Sequence, residues 1–190
     1  MEIKEALLKK RTIRKFSQEK IPYSCLEELI EYARLAAYPA NMQPLKFAII
    51  QDDDMLEKVF PCTKWAGYLP ETGTPKESER PTAYIAVLGD KSIKNSFEVE
   101  AGAAITSMML GALDMGISTC WLGSIERSKL LKLFNLLEDN YSLVYLLALG
   151  YGTQKSDILE MTNSIKYFED ENGTIKVPKR ALGDILIKIK

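Results

Sequence analysis

The chain has 190 residues, 46% of them hydrophobic and 27% charged, with 25 Lys and Arg against 26 Asp and Glu for a formal net charge of -1. That composition is ordinary for one globular domain, and the near-balance excludes the net basic field needed to coat nucleic acid or an anionic membrane. Histidine is absent altogether, which removes Ser-His-Asp and Cys-His nucleophilic machinery, a histidine general base and the common histidine metal sites, so any chemistry is expected to come from a bound cofactor.

Ile3, Leu7 and Leu8 have helical spacing, and Thr12, Ser17 and Pro22 then break it, so a short helix over residues 2–9 is expected to run into a loop. Charges are mixed through MEIKEALLKK, unlike a signal sequence, and no stretch approaches the roughly 20 apolar residues of a membrane span; the expected location is cytoplasmic. Where the helix ends, KKRTIRKF at 9–16 concentrates Lys9, Lys10, Arg11, Arg14 and Lys15. A second helix is expected from Ser24 to Tyr38. Ser24 and Glu27 have capping-box spacing, and Leu26, Leu29, Ile30 and Ala33 form one apolar stripe.

PANMQP at 39–44 reads as irregular, KFAIIQ as a strand ended by Asp52 to Asp54, and Met55 to Phe60 as a short helix. Residues 61–81 hold Pro61, Gly67, Pro70, Gly73, Pro75 and Pro81, too many breakers for regular structure, together with Trp65 and Tyr68. Long loops with aromatic residues often form lids or pocket walls, although either ring would also serve as a simple loop anchor. TAYIAVLG (82–89), ISTCWLG (117–123) and SLVYLLALG (142–150) read as strands buried on both faces. Between them, residues 98–115 form a long helix with a small-residue stripe at Ala103, Ser107 and Gly111, and Glu126 to Phe134 another, with Ser124 as a possible cap. Beyond Gly152 the chain turns polar, and Asn172-Gly173 marks a hairpin. The apolar tail ALGDILIKIK has no core of its own and is expected to dock on a second subunit. One domain over 1–190 is expected, with 153–190 as a C-terminal extension that packs on the partner. Helices alternating with about four strands give an α+β or α/β layered fold.

Three short stretches carry candidate chemistry. Lys10, Arg11, Thr12 and Arg14 combine guanidinium forks, a point charge and a hydroxyl, a set that matches a phosphate, although an isolated basic run is more often a solvated patch. Asn41 and Gln43, held between Pro39 and Pro44, can each donate and accept at a heterocycle edge. Gly123 and Ser124, at the end of a buried strand, can offer backbone N–H groups to a planar ligand. Cys25, Cys62 and Cys120 are odd in number and widely spaced, which fits reduced thiols, and Cys120 inside a strand reads as a core residue.

The order of these stretches resembles the nitroreductase family of flavin enzymes. The family's R-R-S-x-R-x-F is matched by Lys10 to Phe16, its N-x-Q-P-W-x-F by Asn41, Gln43, Pro44 and Phe47, and its D-x-G-A-A helix by Gly102, Ala103 and Ala104. G-[IL]-x-T-C-W-[IL]-G is nearly complete in GISTCWLG, and a strand ending LALGY follows. The resemblance implies a three-layer α/β/α sandwich with a mixed, mainly antiparallel central sheet, in an intertwined homodimer with an FMN in each of two clefts between subunits. NAD(P)H would reduce the flavin, and a small electron-poor aromatic acceptor, a nitroaromatic or quinone, would take the electrons in ping-pong fashion. Carried over position by position, Lys10, Arg11, Thr12 and Arg14 become phosphate and ribityl contacts, Asn41 and Gln43 lie by the isoalloxazine, and Asn41 reaches the partner's flavin. Gly123 and Ser124 face flavin N5 and O4, Lys179 and Arg180 close on the phosphate, and Trp65 and Tyr68 wall the substrate side. No residue is assigned to catalysis and no metal is implied. Lys10, Thr12, Tyr38, Pro39, Leu45 and Glu100 depart from the family pattern. A flavin-binding or sensing protein with little turnover, or a flavin enzyme of the same fold with other chemistry such as reductive dehalogenation, are the alternatives.

Overall fold

The computed structural model describes residues 1–69 and 71–189; Pro70, one of the expected loop breakers, and Lys190 at the end of the tail lie outside the described residues. In chain order the elements are α1 (Ile3–Lys9), α2 (Tyr23–Arg34), β1 (Leu45–Ile50), α3 (Asp53–Val59), β2 (Ala83–Asp90), α4 (Glu98–Asp114), β3 (Ser118–Leu122), α5 (Arg127–Leu133) and β4 (Tyr141–Gly150). They continue with β5 (Ser156–Glu160), β6 (Phe168–Glu169), β7 (Ile175–Lys179) and α6 (Leu182–Ile185).

β1, β2, β4 and β3 form one sheet in that order, with every pair antiparallel. The parallel component comes from an isolated bridge between Thr12 and Thr119, which extends the sheet past its β3 edge. Because β2 and β4 are interior, both of their faces are covered, which explains why their sequences are continuous apolar runs rather than alternating ones. Successive side chains still point to opposite layers, as the strand period of two requires. Ile85, Val87, Leu147 and Leu149 join Leu26 and Leu29 of α2 and Ile105 and Met108 of α4 in one core. Tyr84, Ala86, Leu146 and Ala148 join Val59 of α3 and Leu130 and Leu131 of α5 in the other. The result is a three-layer α/β/α sandwich.

The stripe on α4 has its expected use at Gly111. A Cβ there would lie 2.2 Å from Cδ2 of Tyr32, so only glycine lets α2 and α4 approach as they do. α3 is capped by Asp52, whose carboxylate accepts the Met55 N–H at 3.0 Å. The two other expected caps differ from what forms. α2 starts at Tyr23, with Pro22 in the cap position and no side-chain cap, because the fixed φ of Pro22, here -56°, launches the helix one residue early and puts Ser24 inside it. It also ends at Arg34, short of Tyr38, whose hydroxyl turns back to donate to the Ala33 carbonyl at 2.7 Å. α5 is preceded by Glu126 rather than capped by Ser124.

The Asn172-Gly173 hairpin forms between β6 and β7, with Gly173 at φ +74° and the Asp170 carboxylate accepting the N–H groups of Asn172 and Thr174. β7 also pairs in parallel with β5, so the extension carries a small sheet of its own. Its last part is largely solvent-facing: Leu182, Ile187 and Ile189 are 70%, 86% and 94% exposed. α1 likewise buries none of its residues, and leaves Ile3, Leu7 and Leu8 exposed.

Candidate functional site

The basic run lies along the β3 edge. The Ile13 N–H donates to the Thr119 carbonyl at 3.0 Å, which fixes Thr12 beside Thr119. Charge pairing divides the run. Lys9 pairs with Glu5 at 2.6 Å and Lys15 with Glu79 at 3.9 Å, whereas Lys10, Arg11 and Arg14 have no carboxylate partner among the described residues. Arg11 Nη2 donates to the Leu7 and Leu8 carbonyls, at 3.1 and 2.5 Å, satisfying the end of α1. Among the described residues the Lys10 ammonium has only the Met109 sulfur, at 3.9 Å.

Lys10 and Arg11 line a cavity of about 230 Å³ with Ser118, Thr119, Gln154 and Ser156. Burial, then the charges of Arg11 and Lys179, hold the Lys10 pKa below the ordinary lysine value, and burial lowers that of Arg11. Lys179 is the last residue of β7 and is exposed. Arg180, the next residue, is exposed. The half-buried, mutually repelling pair Lys10 and Arg11, with no carboxylate partner among the described residues, is a site that an anion would stabilise. The buried Ser156 hydroxyl on the cavity wall also lacks a partner. Ser156 and Gln154 escape motif reading because they lie in the polar extension, and only the return of that segment to the β3 edge makes them neighbours of Arg11.

Arg14 is placed differently. Its N–H donates to the Gln154 side chain at 3.3 Å, but its guanidinium lies over the Tyr167 ring, 4.8 Å from the centroid. It is therefore beside, not within, the cavity lined by Lys10 and Arg11.

Four residues beyond Thr119 the edge strand ends at Gly123 and Ser124, both exposed. Their carbonyls are occupied on the protein side. Arg127 Nη2 donates to Gly123 O at 3.1 Å, and the Lys64 N–H donates to Ser124 O at 2.9 Å. Arg127 also donates to the carbonyls of Leu143 and Val144, both at 3.1 Å, tying the turn to β4. In a trans peptide the N–H points opposite to the C=O. The carbonyl held by Arg127 thus turns the Ser124 N–H outward, where it meets no acceptor among the described residues. Arg127 carries no motif signal that would have singled it out. Next to the turn, Trp121 is 37% exposed and meets Tyr145 edge-on, 5.0 Å between centroids.

Asn41 and Gln43 precede β1, on the opposite side of the sheet. Three inter-strand steps separate β1 from β3, about 14 Å, so one chain does not bring these amides to Gly123 and Ser124. Their loop is strained: Ala40, Asn41 and Gln43 have φ of 50°, 52° and 48°, a left-handed region that non-glycine residues visit at a cost. Both amides are exposed. Of the two loop aromatics, Trp65 is 7% exposed, donates from Nε1 to the Thr63 hydroxyl at 2.8 Å and stacks on Phe60, the placement of a loop anchor. Tyr68 is 47% exposed and packs on Tyr167, 5.0 Å between centroids. Cys62 and Cys120 are buried, and burial pushes the Cys120 thiol up to about 11. No His, Cys, Asp and Glu grouping suited to a metal occurs among the described residues.

These features describe an α+β sandwich whose β3 edge presents unpaired cations at one end and free backbone donors at the other. The sequence profile of the nitroreductase family matches residues 7–151, and the chain belongs to that family. It is 27% identical over 158 residues, 80% of this chain and 86% of the relative, to an Archaeoglobus fulgidus protein assigned as an NADH dehydrogenase/NAD(P)H nitroreductase. A Desulfovibrio desulfuricans structure, assigned as a nitroreductase and solved in complex with FMN, superposes with a TM-score of 0.75 at 22% identity. That match covers 100% of this chain and 98% of the other, so the C-terminal extension is included. A nitroreductase family protein of Clostridium difficile superposes at 0.64 with 21% identity, over 81% and 86% of the two chains. Among the described residues no helix is long and apolar enough to cross a membrane.

Proposed function

We propose that the chain is an FMN-dependent oxidoreductase that takes reducing equivalents from NAD(P)H and passes them to a small electron-poor aromatic acceptor, a nitroaromatic or quinone. One observation supports the reading: Lys10 and Arg11, without a carboxylate partner among the described residues, share the β3 edge with the outward N–H of Ser124. From Thr119 to Gly123 is four residues of strand, about 13 Å, a span suited to a ligand with a phosphate at one end and a planar ring at the other. The relatives support the choice of FMN and of a nicotinamide donor, since one is solved with FMN and another is assigned as an NAD(P)H nitroreductase.

In this reading Lys10, Arg11, Lys179 and Arg180 hold the phosphate, and Thr12 adds a hydroxyl. Gly123 and Ser124 orient the ring edge through backbone donors that Arg127 has fixed in advance, so no reorganisation is needed when the ligand enters. FMN supplies the redox-active ring that receives hydride from NAD(P)H and yields it to the acceptor. The protein contributes binding and orientation, which accounts for a site without histidine and with its nearest thiol, Cys120, buried and neutral at physiological pH.

The working unit in this reading is a homodimer. Asn41 and Gln43 sit too far from their own β3 turn, and a second copy would deliver them to it. The exposed apolar residues of α1, α6 and the tail are the surfaces such a copy would cover.

The test is made on purified protein. Uptake of FMN, anaerobic bleaching of the bound flavin by NADH or NADPH at a catalytic rate, and turnover across a panel of nitroaromatics and quinones are expected. Protein that takes up no FMN sinks the proposal, and bleaching without acceptor turnover would leave a flavin-binding protein of another role. Within the basic run, Arg11→Ala is expected to raise the FMN dissociation constant about tenfold or more. Lys15→Ala, which loses only the long contact to Glu79, should leave it nearly unchanged; equal effects would refute the assignment.

A further inference from the structure

No motif assigns a role to the segment between β5 and β7, yet Tyr167 from that segment meets two candidate site residues at once. The Arg14 guanidinium lies over its ring at 4.8 Å. The Tyr68 ring packs on it at 5.0 Å with a 55° tilt, and the Tyr68 N–H donates to its hydroxyl oxygen at 3.5 Å. The neighbouring Lys166 ammonium is 5.8 Å from the Tyr68 centroid. Three distant parts of the chain, around residues 14, 68 and 167, are thereby held in one stack.

The chemistry of that stack is specific. A guanidinium placed over a ring is attracted by the ring's negative face and keeps its in-plane N–H donors unspent, whereas a carboxylate partner would consume two of them. Tyr167 thus fixes Arg14 in place and leaves it able to bind. The loop that carries Tyr68 has hydrogen bonds of its own among its described residues. Leu69 N–H donates to Ala66 O at 2.7 Å and Gly73 N–H to Leu69 O at 2.8 Å, and a Cβ on Gly73 would lie 2.2 Å from Cβ of Ala66. Anchored inside by the buried Trp65, the loop has its outer tip held by Tyr167.

We propose that Tyr167 is a positioning residue: it holds Arg14 and the Tyr68 loop together and so, because Lys64 at the root of that loop donates to the Ser124 carbonyl, fixes the loop beside the ring end of the site, where a flat acceptor would approach. This rests on the reading that FMN occupies the β3 edge. The conservative and disruptive variants separate its parts, because Tyr167→Phe keeps the ring and loses only the hydroxyl, while Tyr167→Leu keeps bulk and loses the π face.

Both variants, Arg14→Ala and the Arg14→Ala/Tyr167→Leu pair are compared with the wild type in two assays. The first is steady-state turnover of the FMN-loaded protein with a flat quinone. The second is chymotryptic cleavage after Tyr68, followed by mass in loaded and flavin-free protein. Tyr167→Leu is expected to raise KM about three- to tenfold with kcat within about twofold, and to speed cleavage after Tyr68 by a similar factor. Tyr167→Phe should stay near the wild type, and Tyr167→Leu should add little to KM once Arg14 is alanine. Equal behaviour of Phe and Leu, full additivity with Arg14→Ala, or unchanged cleavage overturns the proposal. Wild-type protein that takes up no FMN brings down the functional reading instead, and the cleavage assay on the flavin-free chain then decides the clamp alone.

Discussion

At the residue scale, the candidate site is built from cations that have no carboxylate partner among the described residues. Lys10 is the plainest case: it is half-buried beside Arg11, and among the described residues its ammonium meets only a thioether. Its pKa is lowered, so the folded chain sheds this proton at a lower pH than the unfolded chain does. In the window just below the ordinary value of 10.5 the unfolded chain binds more protons, and stability rises with pH there; below the window the charged lysine is a standing cost. Lys10→Met is therefore expected to raise the melting temperature of the flavin-free protein and to flatten its dependence on pH in that window. The same change should weaken FMN binding about tenfold. Calorimetry of the flavin-free chain and flavin titration check the two halves, and a variant that loses both stability and affinity would mark Lys10 as an ordinary structural residue. Motif reading reached Lys10 and Arg11 because they follow a helix directly. It did not reach Ser156, Arg127 or Tyr167, whose roles rest on neighbours far away in the chain.

At the element scale, packing distances separate glycines that shape the fold from glycines that face the site. A Cβ on Gly111 would strike the Tyr32 ring at 2.2 Å, between α2 and α4, so Gly111→Ala is expected to cost about 1–3 kcal/mol. The nearest atom to a Cβ on Gly123 is Cε1 of Tyr145 at 3.4 Å, an ordinary contact. Gly123→Ala should leave stability within about 0.5 kcal/mol of the wild type while adding a methyl group at the ring end and weakening flavin binding. Denaturant melts and flavin titration of both variants give the comparison; a large stability loss in Gly123→Ala would mean that the turn is a packing feature. Elements read best from sequence where one local signal dominated. β2 and β4 were legible as apolar runs, and α2 as a stripe. Its start was not, because the fixed φ of Pro22 outweighed the Ser24 and Glu27 capping pattern. The β5–β7 pairing was hidden for another reason: parallel strands far apart in sequence leave no local mark.

At the scale of the whole molecule, the two halves of the expected site lie on opposite edges of one sheet. Asn41 and Gln43 flank β1, Gly123 and Ser124 follow β3, and β2 and β4 stand between them. In the proposed dimer a second copy would resolve this geometry, and the exposed Leu182, Ile185, Leu186, Ile187 and Ile189 would offer it an apolar surface. Charging the tail with Ile187→Glu and Ile189→Glu is expected to shift the protein from dimer to monomer in sedimentation and to reduce flavin retention with it. A double variant that remains dimeric and keeps its flavin would place the interface elsewhere.

The sequence by itself determined the alternation of helices and strands, the buried middle of the sheet and the ordered motif set of the nitroreductase family. These are local properties, written in periodicity and in residues a few positions apart. Tertiary structure decided how the cations are paired, since Glu5 and Glu79 claim Lys9 and Lys15 and leave Lys10, Arg11 and Arg14 without a carboxylate among the described residues. It also decided that Trp65 is buried against Phe60, that Arg127 holds the Gly123 carbonyl, and that Tyr167 returns to meet Arg14 and Tyr68. Each of these depends on distances between segments that are far apart along the chain, which are set only when the sheet and its two helical layers close together.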